Sequence, residues 1–208
     1  MGQLIVTEFV TLDGVAQAPG EPDEDREGGF SHGGWQVPLI DEQSGEDMFE
    51  GARSMDALLL GRKTYDIFAG YWPTAPAEMP FTQLLNDVPK YVASRSLSGP
   101  LDWQASTLLD GDLAASVPAV KERHDEVHVI GSLDLVQSLL RLGLVDRLNL
   151  WMYPLVLGTG KKVFGDGAVP AALRLTDSAT YPNGTLRLSY ETAGAPTYGD
   201  MAAEDAAG

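Results

Sequence analysis

The chain contains two short, continuous apolar runs, each followed by a glycine and then by a segment that can form a helix. The first run is Leu58–Leu60, and the second is 127–130 (VHVI). A continuous apolar run of this length is typical of a strand that is buried on both faces. The pattern therefore predicts two strand–turn–helix units, over residues 58–68 and 127–142.

Further strands and helices are indicated on both sides of these units. We expect strands at 3–10, 90–94, 147–157, 173–181 and 185–192, and helices at 41–55, 81–85 and 112–123. Pro182-Asn183-Gly184 is a strong turn signal, so the last two strands are predicted to pair as an antiparallel hairpin. Strands that alternate with helices and end in a hairpin indicate an α/β fold with a mixed sheet.

The segment 18–37 interrupts this pattern as a long acidic loop. Five of the seven residues in Glu21–Glu27 are acidic, and glycines follow closely. Phe30, Trp35 and Val37 are apolar residues within the same loop. Two interpretations stay open, namely a solvated insertion without a function and a mobile lid over a site.

Composition limits the class of protein. Of the 208 residues, 44% are apolar, and no run of 18 apolar residues occurs, so we expect one domain over 1–192 and no membrane span. The tail 193–208 is rich in Ala, Gly and acidic residues and is predicted to be disordered. The net charge of −16 disfavours nucleic acid and anionic membranes as partners. The absence of cysteine and of a signal peptide favours a cytoplasmic protein.

Basic residues are scarce, and two of them stand beside the first glycine turn. Arg62 and Lys63 follow Gly61, and Thr64 occupies a position suited to a helix N-cap. Free backbone amides, a helix dipole and two cations at one point form a site for a phosphate-bearing ligand. An ordinary turn with basic residues at the surface is the alternative.

A second cation ends another strand. Ser94 and Arg95 follow the strand at 90–94, where they can contact a phosphate or a ribose, although a capped turn is the alternative. Ligands of α/β proteins bind beyond the carboxyl ends of the strands. The two glycine turns, at Gly61 and Gly131, are therefore placed to bracket an extended ligand such as a dinucleotide.

Several short motifs, taken in order, resemble one known family. The motifs are Leu12-Asp13-Gly14, Leu60-Gly61-Arg62-Lys63-Thr64-Tyr65, Ser94-Arg95, Ile130-Gly131-Ser132, Gly143-Leu144-Val145-Asp146, Pro154-Leu155-Val156-Leu157-Gly158 and Phe164. Together they resemble the dihydrofolate reductase-like family, on the branch that contains the C-terminal reductase domain of the riboflavin-biosynthesis protein RibD. The resemblance covers residues 3–192. It implies a twisted, mostly parallel sheet with flanking helices and a C-terminal antiparallel hairpin, NADPH as the cofactor, and a homodimer.

The resemblance also implies roles for residues around the predicted turns. Phosphate contacts fall on Gly61, Arg62, Lys63 and Thr64, and contacts with the adenosine 2′-phosphate end fall on Ser94 and Arg95. Contacts with the pyrophosphate and nicotinamide fall on Ile130, Gly131, Ser132 and Leu133, and the nicotinamide pocket would include Asp13, Gly14 and Val15. The family often has two glycines where this chain has Gly131 and Ser132. A serine restricts the backbone but offers a hydroxyl to phosphate, so we expect binding to survive.

The catalytic region departs from the family pattern. Dihydrofolate reductases carry one buried carboxylate on the first helix, and the corresponding position here falls on Gly45. Asp41, Glu42, Glu46 and Asp47 lie nearby as candidates for a proton donor, and Glu46 and Asp47 are the nearest. Solvated acids at a helix start are the alternative. Trp35, in the acidic loop, would close over the substrate.

The sequence thus favours an NADPH-dependent reductase of a small heterocyclic or carbonyl substrate. A nucleotide-binding module without catalysis and a structural homodimer of the same fold stay open as alternatives. The chain has no cysteine and three scattered histidines, so we expect no metal site and no zinc deaminase activity.

Overall fold

The structure is a computed structural model that describes residues 1–109 and 111–201. The strands are β1 (Gln3–Thr11), β2 (Ala57–Gly61), β3 (Lys90–Ala93), β4 (Ser106–Leu108), β5 (Glu126–Ile130), β6 (Arg147–Tyr153), β7 (Leu173–Thr180) and β8 (Leu186–Thr192). The helices of four or more residues are α1 (Glu42–Ala52), α2 (Arg62–Tyr71), α3 (Pro80–Asp87), α4 (Leu113–Lys121) and α5 (Leu133–Arg141). Part of the tail for which disorder is predicted, 202–208, lies outside the described residues.

All eight strands belong to one sheet, in the order β4-β3-β2-β5-β1-β6-β8-β7. The pairs from β4 to β6 are parallel, whereas β8 pairs antiparallel with both β6 and β7. The expected fold, a mostly parallel sheet with flanking helices and a C-terminal antiparallel hairpin, is therefore confirmed. No helix in the described part of the chain is long and apolar enough to cross a membrane.

The central strands are apolar on both faces because helices cover both sides of the sheet. On one face, Val6 and Val10 pack with Val129 and with Leu135 and Leu139 of α5. The opposite face carries two separate clusters. Residues of α2 and α3 contribute to one of them, and the other contains Trp35 and Trp151. Burial on both faces explains the continuous apolar runs of the sequence.

Most element boundaries shift by a few residues from the sequence-based expectation, and two boundaries and one strand differ more clearly. Helix α2 begins at Arg62 with Gly61 as its N-cap, so the predicted N-cap at Thr64 is wrong. Strand β6 ends at Tyr153 instead of 157, because Pro154 has no backbone N–H to continue the ladder. The three-residue edge strand β4 was not expected.

Candidate active site

A cleft of about 2080 Å³ lies at the carboxyl ends of the parallel strands. It brings together most residues for which the sequence predicts a role. The predicted residues that line it are Asp47, Gly61, Arg62, Lys63, Thr64, Ser94, Arg95, Ile130, Gly131, Ser132 and Leu133. The two glycine turns and the Ser-Arg pair therefore share one cavity, as a ligand extended between them requires.

A direct hydrogen bond joins the two glycine turns. The backbone N–H of Gly61 donates to the Ser132 hydroxyl oxygen at 2.9 Å. Gly131 and Ser132 both have left-handed backbone conformations, with φ of +64° and +67°. A hydroxyl can accept one hydrogen bond and donate another, so Ser132 holds Gly61 and still has a donor for a ligand.

Both turns lead into helices whose first amides lack side-chain caps. Helix α2 begins after Gly61, and α5 begins after Ser132, and neither N-cap residue makes a side-chain capping hydrogen bond. The first backbone N–H groups of a helix have no partner within the helix and carry a partial positive charge. Two such helix starts in one cleft suit the charged phosphates of a dinucleotide.

The three cations for which the sequence predicts phosphate contacts differ in the protein groups that they already contact. Arg62 donates to the Ser96 hydroxyl at 3.1 Å, and this bond links α2 to the turn after β3. Within α2, Arg62 also lies 3.4 Å from Asp66. Lys63 pairs with Glu27 and, at 3.4 Å, with Asp25 of the acidic loop. Arg95 is exposed and lines the cleft. Arg62 and Arg95 are thus better placed than Lys63 to meet an incoming phosphate.

The acidic loop packs onto the protein and forms one wall of the cleft. Lys161 pairs with Asp25 at 2.7 Å and with Glu27 at 2.5 Å. Gln17 donates from its side-chain amide to the backbone oxygens of Asp25 and Glu27, both at 3.0 Å. The loop therefore has defined contacts, which a purely solvated insertion would lack.

Trp35 and the turn at 13–15 do not line the cleft. Trp35 is buried against Tyr153, with ring centroids 5.5 Å apart, and does not line the cleft. The carboxylate of Asp13 accepts hydrogen bonds from the Thr11 hydroxyl at 2.6 Å and from two backbone N–H groups after β6. These bonds, that of Thr11 foremost, lower the pKa of Asp13 to about 2. Gly14 and the buried Val15 continue this turn, so the structure gives the segment a clear role in joining two loops.

The two candidate proton donors on α1 face different ways. Asp47 lines the cleft and accepts a hydrogen bond from the Tyr181 hydroxyl at 2.7 Å. Burial and this bond to Asp47 raise the pKa of Tyr181 to about 12. Glu46 instead lines a separate, small pocket with Phe49 and Pro80. The geometry therefore favours Asp47.

Sequence reasoning missed a set of unpaired polar atoms in the cleft. Asn149 Oδ1 and Arg187 Nε are buried without a hydrogen-bond partner in the described part of the chain. The carboxyl group of Glu8 is also buried, and its Oε1 has no partner there either. The alternation of β1 could have identified Glu8, because it shares a face with the aliphatic Val6 and Val10. Buried polar atoms without partners are rare, and in a cleft a ligand or a water molecule can satisfy them.

Comparison with known proteins agrees with this architecture. The RibD C-terminal domain family matches residues 3–187, and the chain belongs to this family. The uncharacterised protein YyaP of Bacillus subtilis (strain 168) is 30% identical over 139 residues, which are 65% of this chain and 73% of YyaP.

Solved structures show the same fold at low sequence identity. A putative riboflavin biosynthesis protein from Shewanella sp. PV-4 has a TM-score of 0.65 and 18% identity, over 91% of this chain and 98% of that one. A pyrimidine reductase-like protein from Corynebacterium diphtheriae has a TM-score of 0.64 and 15% identity, over 92% of each chain. The bifunctional deaminase/5-amino-6-(5-phosphoribosylamino)uracil reductase of Thermotoga maritima has a TM-score of 0.59 and 16% identity, and the match spans 92% of this chain and 57% of that one. The fold of this chain is therefore that of the RibD C-terminal domain.

Proposed function

We propose that the protein is an NADPH-dependent reductase of a small heterocyclic or carbonyl substrate. One observation carries the proposal, namely that two glycine turns, two uncapped helix starts and the cations Arg62 and Arg95 meet in a single cleft. Membership of the RibD C-terminal domain family supports it, as do solved structures of the same fold that are described as reductases.

The residues of the cleft fit the chemical groups of NADPH. Amides at the starts of α2 and α5 suit the pyrophosphate, and an arginine can form paired hydrogen bonds with the 2′-phosphate. The bound cofactor supplies a hydride, and the protein orients the acceptor and excludes water. Asp47, directly or through a water molecule, would deliver the proton that the reduced acceptor requires.

The substrate would lie on the α1 side of the sheet. Asp47, Asn149 and Arg187 all line this part of the cleft. Asn149 Oδ1 is an unpaired acceptor and Arg187 Nε an unpaired donor, while another nitrogen of Arg187 pairs with Asp177 at 2.8 Å. Such a surface suits a heterocycle with polar edges, of which the uracil named for the Thermotoga maritima protein is one example. A cytoplasmic homodimer is the form that we expect from the composition and from the family resemblance.

Cofactor titration tests the proposal. We expect NADPH to bind better than NADH by about 1.5–3 kcal/mol, the range for hydrogen bonds to a charged group. At 100 times its dissociation constant, NADPH should stabilise the protein by about 2.7 kcal/mol, which raises the melting temperature by a few degrees. Replacing Arg95 or Arg62 by methionine should reduce the preference for NADPH. Arg53→Met is the matched control, because Arg53 pairs with Glu50 and does not line the cleft.

Each result separates the competing functions. A shift with NADPH together with turnover of a carbonyl or heterocyclic acceptor supports the reductase. A shift without turnover of any acceptor favours a nucleotide-binding module. No shift with either dinucleotide would overturn the proposal and leave a structural role. Equal affinity for NADPH and NADH would reject the assignment of the two arginines to the 2′-phosphate.

A further inference from the structure

Glu8 occupies an unusual position for a carboxylic acid. It lies in the central strand β1, is only 2% exposed and lines the cleft. Neighbouring strand β5 ends at Ile130, which pairs with Thr7, so Glu8 lies one residue beyond the last paired position and next to the turn at Gly131. Its side chain is thus placed where the cleft reaches between two adjacent strands.

The connections after these two strands diverge, which opens a crevice between them. Helix α5, which follows β5, packs on the face of the sheet that carries Val6 and Val10. Helix α1, which follows β1, contributes Met48 to a cluster on the opposite face. In open α/β sheets such a crevice is where the ligand binds.

No group in the described part of the chain forms a hydrogen bond with the Glu8 carboxyl group. Its Oε1 has no hydrogen-bond partner, and burial alone raises the pKa of Glu8 to about 8. The charged side chains that line the cleft from elements around this face are Asp112 before α4, Asp134 and Arg141 of α5, and Lys161 with its partner Asp25. None of them hydrogen-bonds to Glu8. At neutral pH Glu8 is therefore a neutral acid with an unused donor and an unused acceptor side by side.

We propose that the carboxyl group of Glu8 pairs with the carboxamide of the nicotinamide ring and so orients the ring at the crevice. This inference rests on the proposed function. An amide offers an acceptor C=O next to a donor N–H, which matches the O–H and C=O of a carboxylic acid in a two-bond pair. The position of Glu8 beside the Gly131–Ser132 turn favours the cofactor, because Asn149 and Arg187 lie on the opposite face of the sheet. Glu8 would be a positioning residue for the ring.

Four ligands and two variants test this pairing. The ligands are NADPH, NADP, the 3-acetylpyridine analogue of NADP, in which a methyl replaces the amide NH₂, and 2′,5′-ADP, which lacks the ring. Glu8→Met preserves the length of the side chain but removes both hydrogen-bonding groups, whereas Glu8→Gln preserves a donor and an acceptor. Dissociation constants are measured by calorimetry at pH 7.

For Glu8→Met we expect NADPH affinity to fall at least tenfold, whereas Glu8→Gln should stay within about threefold of the wild type. The acetylpyridine analogue should bind the wild type more weakly than NADP does, and this difference should vanish in Glu8→Met. Affinity for 2′,5′-ADP should be the same in all three proteins, because it meets the phosphate-binding residues alone. The unliganded Glu8→Met protein should melt at a higher temperature, since it no longer buries an unpaired polar group.

A pH series on the wild type provides a test that does not depend on folding of a variant. A carboxylate cannot donate to the amide carbonyl, so NADPH affinity should fall as the pH rises past 8, by about tenfold per pH unit in the limit. Glu8→Gln should show no such fall between pH 7 and pH 9, and neither should 2′,5′-ADP with the wild type.

Failure of the Glu8 pairing can be distinguished from failure of the proposed function. If NADPH does not bind the wild type at all, the proposed function fails and this inference falls with it. If NADPH binds and its affinity is the same in Glu8→Met and at pH 9, the proposed function stands and the pairing with Glu8 is overturned.

Discussion

Ser132 makes two opposing contributions to stability, a strained backbone conformation and a hydrogen bond. It is one of three non-glycine residues with a positive φ in the described part of the chain, and its hydroxyl accepts the Gly61 N–H. The left-handed conformation costs a residue with a side chain about 1 kcal/mol. The hydrogen bond offsets that cost and links the two turns of the cleft.

Two substitutions at Ser132 separate these contributions. Ser132→Ala retains the strain and loses the hydrogen bond, so we expect a loss of about 1–2 kcal/mol in the free energy of unfolding. Ser132→Gly also loses the bond but relieves the strain, so its stability should stay within about 1 kcal/mol of the wild type. Urea denaturation of the three proteins provides the comparison. Equal destabilisation by both substitutions would show that the strain at this position is negligible.

At the level of single residues, sequence patterns found the binding turns but not the buried polar groups. Gly61, Arg62 and Gly131 stand out locally, because a glycine after an apolar run marks a turn. The role of a carboxyl group such as Glu8 depends on which face of β1 it occupies and on how far β5 extends beside it. Those facts come from strand register, which no local pattern contains.

The acidic loop is held as an element by two lysines from different parts of the chain. Lys63 lies in the first turn of α2 and Lys161 follows β6, and both pair with Asp25 and Glu27. Although burial opposes it, hydrogen bonds to these carboxylates raise the pKa of Lys161 above its ordinary value. Since the loop also forms a wall of the cleft, these pairs fix the shape of the site.

Removing one lysine should loosen the loop. We expect Lys161→Gln to accelerate trypsin cleavage after Arg26, an exposed residue between the two paired carboxylates, by several-fold under native conditions. Lys162→Gln is the matched control, because the adjacent Lys162 is exposed and forms no ion pair with the described residues. Release of the N-terminal fragment is followed by mass spectrometry. Equal cleavage rates in both variants would show that Lys161 does not restrain the loop.

The type of a strand or helix was predictable where burial determines the apolar pattern of the sequence, whereas the residues at which elements begin and end were not. The buried runs of β2 and β5 and the Asn-Gly hairpin have strong local signals, and the structure confirms them. Strand β4 is three residues long at the edge of the sheet, so its pairing with β3 leaves no periodicity to detect. The contacts of the acidic loop were also hidden, because its lysine partners lie about 40 and 135 residues away in sequence.

For the whole molecule, Glu8 and Lys90 shift stability in opposite pH ranges. Burial also lowers the pKa of His128, which opposes the effect of Glu8 at the acid end of its range. Burial raises the pKa of Glu8 from 4.5 to about 8. Lys90 is fully buried, donates to the Asn86 carbonyl at 2.6 Å and lies 4.4 Å from the Trp103 ring centroid. Burial lowers the pKa of Lys90 from 10.5 to about 8, against an opposing effect of Asp87.

The two shifts predict a minimum of stability near pH 8. Between pH 4.5 and 8 the folded protein holds a proton on Glu8 that the unfolded chain has lost, so stability falls as the pH rises. Between pH 8 and 10.5 the unfolded chain holds a proton on Lys90 that the folded protein has lost, so stability rises again. Each limb should amount to a change on the order of 3 kcal/mol in the free energy of unfolding.

Urea denaturation at pH 5, 8 and 10 measures both limbs. This range avoids the acid region, where carboxylates such as Asp13 become protonated, and the region above pH 10, where Tyr153 and Tyr181 would ionise in the unfolded chain. Glu8→Gln should abolish the fall between pH 5 and 8 and leave the later rise intact, whereas Lys90→Met should do the opposite. A profile that is flat in the wild type, or unchanged in both variants, would show that other groups control the pH dependence of folding.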